Sequence, residues 1–183
     1  MRLVRLLSVF CLWALAGCSE QQETARPSPV ELTRDAVGHF CGMTVVDHPG
    51  PKGQAFVAGQ DAPLWFSSVR DTVAFILLPE ESNDLLAIYV NDMAQARDWA
   101  APPPAWIPAD EAVYVIASAR RGGMGALEAV PFSSEAAARD FIGEYGGCAV
   151  SLKAIPRDYV LGDAASAEQD WCDGVRAPGV RQP

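Results

Sequence analysis

The run Cys41-Gly42-Met43 sets a thiol and a thioether two residues apart. Thiolate and thioether together suit a soft, monovalent ion, above all Cu(I). In an extended strand, residues two apart point to the same side, so both sulfurs could reach one ion. Gly42 between them also lets the backbone fold back sharply. His48 follows in a Pro/Gly turn, with Asp47 beside it to orient its ring, and His39 stands two residues before Cys41. Met124 lies in Gly122-Gly123-Met124-Gly125. A methionine among three glycines at a hairpin tip has little around it to pack against. The competing view is that Cys41 and Met43 are ordinary core residues, because both types are commonly buried. The residues alone leave that choice open.

Other chemistry finds little support. The chain has no Gly-rich phosphate loop, no CxxC pair, no His-x-x-x-His spacing and no Gly-x-Ser-x-Gly. With only two histidines, it also lacks the imidazoles that stabilise Cu(II) in redox enzymes. A non-enzymatic protein is therefore expected.

Residues 1–17 read as a leader: Arg2 and Arg5, then an apolar stretch from Leu6 to Leu15 too short to remain as a membrane span. The sequence Leu15-Ala16-Gly17-Cys18 resembles a bacterial lipobox. That resemblance implies cleavage before Cys18 and lipidation of Cys18, a stable anchor because several acyl chains would sit on one residue. Ser19 after the cysteine favours the outer membrane, by analogy with lipoprotein sorting in enteric bacteria. Cleavage would remove two of the 14 basic residues and none of the 23 acids, taking the formal charge from −9 to −11. So acidic a surface disfavours nucleic acid and anionic lipid as partners. Of the thiols, Cys41, Cys148 and Cys172 would remain, enough for one disulfide and one odd thiol in an oxidising compartment. A Cys148–Cys172 bridge would leave Cys41 free; it is one of three possible pairings.

The elements that must position these donors repeat. Phe66-Ser67-Ser68 recurs as Phe132-Ser133-Ser134, each ahead of a helical stretch for which a serine can supply the N-cap oxygen. The expected helices are 69–78 and 135–145, followed by strands at 85–90 and 148–152. The expected hairpins before them are 44–46 with 54–58, and 113–117 with 126–130. The order is β-β-α-β twice, an α+β fold of two small units packed together, since a three-stranded sheet with one helix buries too little alone. The boundaries are a leader at 1–17, lipidated Cys18 with a flexible tether at 18–34, and a first unit at 35–99. A Pro-rich linker at 100–110, a second unit at 111–155 and a partly disordered tail at 156–183 complete the chain.

Several of these runs together resemble the NosL family: Cys41-Gly42-Met43-Thr44-Val45, Asp47 to Gln54, Tyr89-Val90-Asn91-Asp92-Met93, Tyr114-Val115-Ile116, Gly123-Met124-Gly125, and Pro131-Phe132 with Gly146-Gly147. The match spans about residues 35–155. It implies a copper-binding lipoprotein that delivers Cu(I) on the periplasmic side for the copper centres of nitrous oxide reductase. The partners it implies are a NosDFY-type transporter complex or the reductase itself. It marks Cys41 and Met43 as ligands, with His48 and Met124 behind them. The alternatives are a copper buffer without a dedicated client and a non-metal adaptor lipoprotein.

Overall fold

The computed structural model describes residues 26–81, 84–101, 105–162 and 170–173. The leader and Cys18 lie outside the described residues.

The first unit runs β1 (Gly53–Val57), β2 (Leu64–Phe66), α1 (Val69–Leu77) and β3 (Leu85–Asn91). The second runs β5 (Val113–Ile116), β6 (Val130–Phe132), α2 (Glu135–Tyr145) and β7 (Cys148–Ser151). Between them β4 (Trp106–Pro108) adds to the first sheet, giving the order β2-β1-β3-β4, and the second sheet has the order β6-β5-β7. All pairings are antiparallel. In both units the first strand is central, flanked by its hairpin partner and by the strand after the helix. The mixed fold and the twofold β-β-α-β order therefore agree with the sequence.

The repeated serines act alike. Ser68 accepts a hydrogen bond from the Asp71 amide at the start of α1, and Ser134 accepts one from the Ala137 amide at the start of α2. Each satisfies a helix-end donor that would otherwise go unpaired. Gly146, with φ +70°, closes α2 in a conformation that glycine adopts without strain.

Local assignments differ from expectation in four places. Residues 44–46 are not a strand: Val45–Asp47 is a 3-10 turn, and β1 pairs instead with Leu64–Phe66. The reversal falls at Ala58–Pro63, where Gly59 has φ +79°, while Pro49 and Pro51 keep the preceding segment out of a ladder. In the second hairpin the return strand is Val130–Phe132, so Ala126–Ala129 is irregular. The expected linker contains β4, whose Pro108 is tolerated because it lies on an edge strand.

The expected tether and tail also contribute to the folded body. Tyr89 Oη donates to Pro27 O at 2.6 Å, and the buried Gln54 side chain exchanges two hydrogen bonds with the Val30 backbone. Residues 26–34 are thus docked in part. In the tail, α3 (Arg157–Leu161) packs on α1, and Tyr159 and Trp171 are buried edge to face at 5.4 Å. A disulfide joins Cys148 to Cys172, with Cα atoms 5.7 Å apart, and leaves Cys41 as a free thiol.

One core serves both units. Phe66, Val69 and Phe75 of the first pack with Tyr114, Ile116 and Tyr159 of the second part of the chain. Burial of each such large side chain contributes roughly 1.5–3 kcal/mol. Two buried carboxylates tie the units. Asp92, after β3, accepts from the Ser133 amide ahead of α2 at 2.9 Å. Glu128, ahead of β6, accepts from the Arg70 amide in the first turn of α1 at 2.9 Å.

Candidate metal centre

Cys41 and Met43 sit on the tip of a tight loop rather than on a strand. Gly38 N donates to Met43 O at 2.9 Å, Gly42 N donates to Gly38 O at 2.8 Å, and Val45 N donates to Ala36 O at 2.9 Å. Gly42 has φ +66°, a left-handed conformation that a residue with a Cβ adopts only with strain. The loop is fastened to the β2 edge by His39 N donating to Trp65 O at 2.7 Å. The Cys41 side chain folds back over Gly38, where an added Cβ would lie 2.5 Å from Sγ. A glycine at 38 is therefore a condition for the thiol's position.

Cys41 Sγ lies 3.7 Å from Ser67 Oγ, and Ser67 Oγ donates to Asp71 Oδ2 at 3.4 Å. The thiol thus rests at the start of α1. Burial pushes the Asp71 carboxyl above its usual range, opposed by hydrogen bonds from Ser68 and Ser67, by the charge of Arg70 and, most weakly, by His48. Asp71 is thus joined to the thiol through Ser67, while the His48 ring acts on it only electrostatically. Asp47, expected to orient that ring, is exposed and pairs with Arg34 at 3.7 Å.

Met124 arrives from the second unit. Its loop is packed directly on the His48 loop: a Cβ on Gly123 would lie 2.5 Å from His48 Cβ and 2.9 Å from Pro49 O. Trp99 clamps both loops, accepting from Gly50 N through its carbonyl at 2.7 Å and donating from Nε1 to Arg121 O at 3.2 Å. Lys52 is fully buried beneath, with Nζ donating to Pro49 O and Gly50 O at 3.1 and 2.7 Å.

Cys41 and Met43 therefore share one loop beside the start of α1, and the Met124 loop packs on the His48 loop. Cys41 is half-buried, while Met43 and Met124 are 42% and 58% exposed. No group of three or more His, Cys, Asp or Glu that could hold a metal ion occurs among the described residues. His39 and Met93 do not join them. The His39 ring packs against Phe66 and Phe75 and meets Glu81 at 3.0 Å, and Met93 is buried with Val115, Val130 and Phe132.

Sequence reasoning missed Ser67 and Asp71 as neighbours of the thiol, and Lys52 and Glu128 beneath the loops. The repeated Phe-Ser-Ser run pointed to the right turn of chain. It did not distinguish the capping Ser68 from Ser67, which faces Cys41.

These features define a class: a small protein of two fused β-β-α-β units, with a free thiol and two exposed thioethers on surface loops. The NosL family model matches residues 29–160. The chain is 44% identical over 173 residues to the copper-binding lipoprotein NosL of Achromobacter cycloclastes, covering 92% of this chain and 90% of that protein. It is 33% identical over 165 residues to the protein of the same description from Stutzerimonas stutzeri, covering 89% and 84%. The crystal structure of the copper chaperone NosL from Shewanella denitrificans superposes with a TM-score of 0.66 at 31% identity, covering 72% of this chain and 97% of that one. The chain belongs to the NosL family.

Proposed function

We propose that this protein is a periplasm-facing lipoprotein, anchored through Cys18, that carries Cu(I) as cargo to the machinery building the copper centres of nitrous oxide reductase. The observation that supports this best is one sheltered free thiol, Cys41, with the exposed thioether of Met43 on the same loop and that of Met124 on a loop packed against His48. Relatives described as copper-binding lipoprotein and copper chaperone support the metal and the anchor.

Cys41 binds as the thiolate, so loading releases its proton. Met43 and Met124 add neutral sulfur donors that hold Cu(I) without fixing it irreversibly. His48 supplies a further nitrogen donor from the same rim. Because the thioethers face solvent, an incoming soft ligand from a partner can replace them one at a time. The ion then passes through a shared intermediate while Cys41, less exposed than either thioether, lets go last. The receiving partner is a NosDFY-type transporter complex or the reductase itself. Nothing in this sequence of steps requires catalysis or bound nucleotide.

The test is a Cu(I) chelator competition on the full chain in detergent, wild type beside Cys41→Ser, followed by a transfer assay with the transporter complex. Tight binding by wild type alone, then loss of copper to that complex, is expected. Equal affinity in Cys41→Ser would reject the site, and retention of copper in the presence of the complex would reject the delivery role.

A further inference from the structure

Glu128 is the buried group beneath this site that nothing above puts to use. It is 1% exposed and stands four residues after Met124. Its Oε1 accepts from the Arg70 amide and from the Ala129 amide, both at 2.9 Å. Its carbonyl accepts from Tyr159 Oη at 2.7 Å. Its Oε2 has no hydrogen-bond partner among the described residues. That oxygen lies under Gly122, where an added Cβ would come within 2.7 Å of Oε2 and 3.6 Å of Ser68 Cβ.

A carboxyl with a bare oxygen is a costly thing to bury, since an unsatisfied polar group costs about 1–3 kcal/mol. Here it stands where two site-bearing segments meet. One is the start of α1, which holds Ser67 against Cys41. The other is the Gly122–Gly125 loop, which carries Met124. The segments are far apart in sequence and belong to different units.

We propose that Glu128 is a positioning residue that holds the Met124 loop against the first turn of α1, and so fixes the reach between Met124 and Cys41. The role rests on the proposal that both residues hold copper. Glu128 itself touches no ion: it acts by hydrogen bonding α1 and by filling the space under a side-chain-free Gly122. A two-sulfur site spanning two loops needs such a brace, because a shift of about half an ångström already spoils ligand geometry.

The experiment uses the full chain in detergent with methyl-labelled methionine. Glu128→Ala, Glu128→Gln and Gly122→Ala are each made with and without Met124→Leu. Glu128→Ala and Gly122→Ala should each weaken Cu(I) binding roughly tenfold, the usual scale for groups that orient ligands. Adding Met124→Leu should then cost nothing more. Glu128→Gln, which keeps the Oε1 acceptor, should retain wild-type affinity and its dependence on Met124. In the metal-free protein the Met124 methyl resonance should move in Glu128→Ala and Gly122→Ala, and the Met43 resonance should not. An unmoved Met124 resonance, or a Met124→Leu penalty as large in these variants as in wild type, would overturn the proposal. If Glu128→Ala fails to fold, Gly122→Ala decides alone, since it leaves the acid intact. A Met124→Leu variant that binds copper like wild type would instead overturn Met124 as a ligand, and the methyl shifts would still judge the brace.

Discussion

Cys41 and Ser67, 26 residues apart in sequence, meet with Sγ 3.7 Å from Oγ, and Ser67 in turn donates to Asp71 Oδ2. The thiol is thereby seated on α1 instead of hanging from a free loop. Ser67→Ala should weaken Cu(I) binding by about tenfold through loss of this seat. Cys41→Ser removes the one free thiol among the described residues and should weaken it by at least ~100-fold. Thermal stability should change little in either variant. Chelator competition and a melting curve on the same samples read both outcomes.

The Gly38–Cys41 contact gives a second prediction that leaves every donor in place. A methyl group at 38 would collide with Sγ, so Gly38→Ala should displace the thiol and lower Cu(I) affinity several-fold. Its Cu(I) complex should show fewer sulfur neighbours by X-ray absorption. An unchanged absorption spectrum would mean that the loop relaxes without cost to the site.

Burial raises the Glu128 carboxyl from its ordinary 4.5 to about 8 and lowers the Lys52 ammonium from 10.5 to about 8, the latter partly opposed by the Glu128 charge. Between about pH 4.5 and 8 the folded chain keeps a proton on Glu128 that the unfolded chain has lost, so stability falls as pH rises. Above pH 8 the unfolded chain holds the extra proton, on Lys52, and stability recovers towards pH 10.5. Melting temperature should therefore fall by roughly 5 °C or more from pH 5 to 8, on the scale of a few degrees per kcal/mol. Glu128→Gln should remove most of that fall. A flat profile in wild type would show that the pair does not titrate in this way.

The Cys148–Cys172 bridge closes a loop of 24 residues and ties the buried Trp171 to β7. Replacing both cysteines by serine should cost about 3 kcal/mol, from the entropy the cross-link removes in the unfolded chain. Hydrogen exchange should rise at α3 and around Trp171. Cu(I) affinity should hold, because neither cysteine belongs to the site; a matching loss of copper binding would contradict that separation.

Much of the architecture was legible before any coordinates. Helix starts at Ser68 and Ser134 follow from local capping chemistry, and the duplicated order of elements follows from the repeat around them. The first hairpin was misplaced because Val45-Val46 has the composition of a strand, while its neighbours Pro49 and Pro51 give it no ladder to join. The sequence of 156–183 predicts a partly disordered tail because α3 is a single short turn of helix whose apolar face is completed by α1. A pattern shared between distant segments has no period within either one.

The sequence by itself determined which soft donors exist and which family the chain belongs to. Those properties reside in residue types and short spacings. Tertiary structure alone decided that Cys41 rests on Ser67 ahead of α1, that Gly123 lies on His48, that Asp47 pairs with Arg34, and that Lys52 and Glu128 are buried. The physical reason is that these contacts arise where two packed units meet. Its geometry comes from the shared core and from crossing hydrogen bonds such as Glu128 to Arg70, interactions whose partners lie up to dozens of residues apart and leave no local mark on the chain.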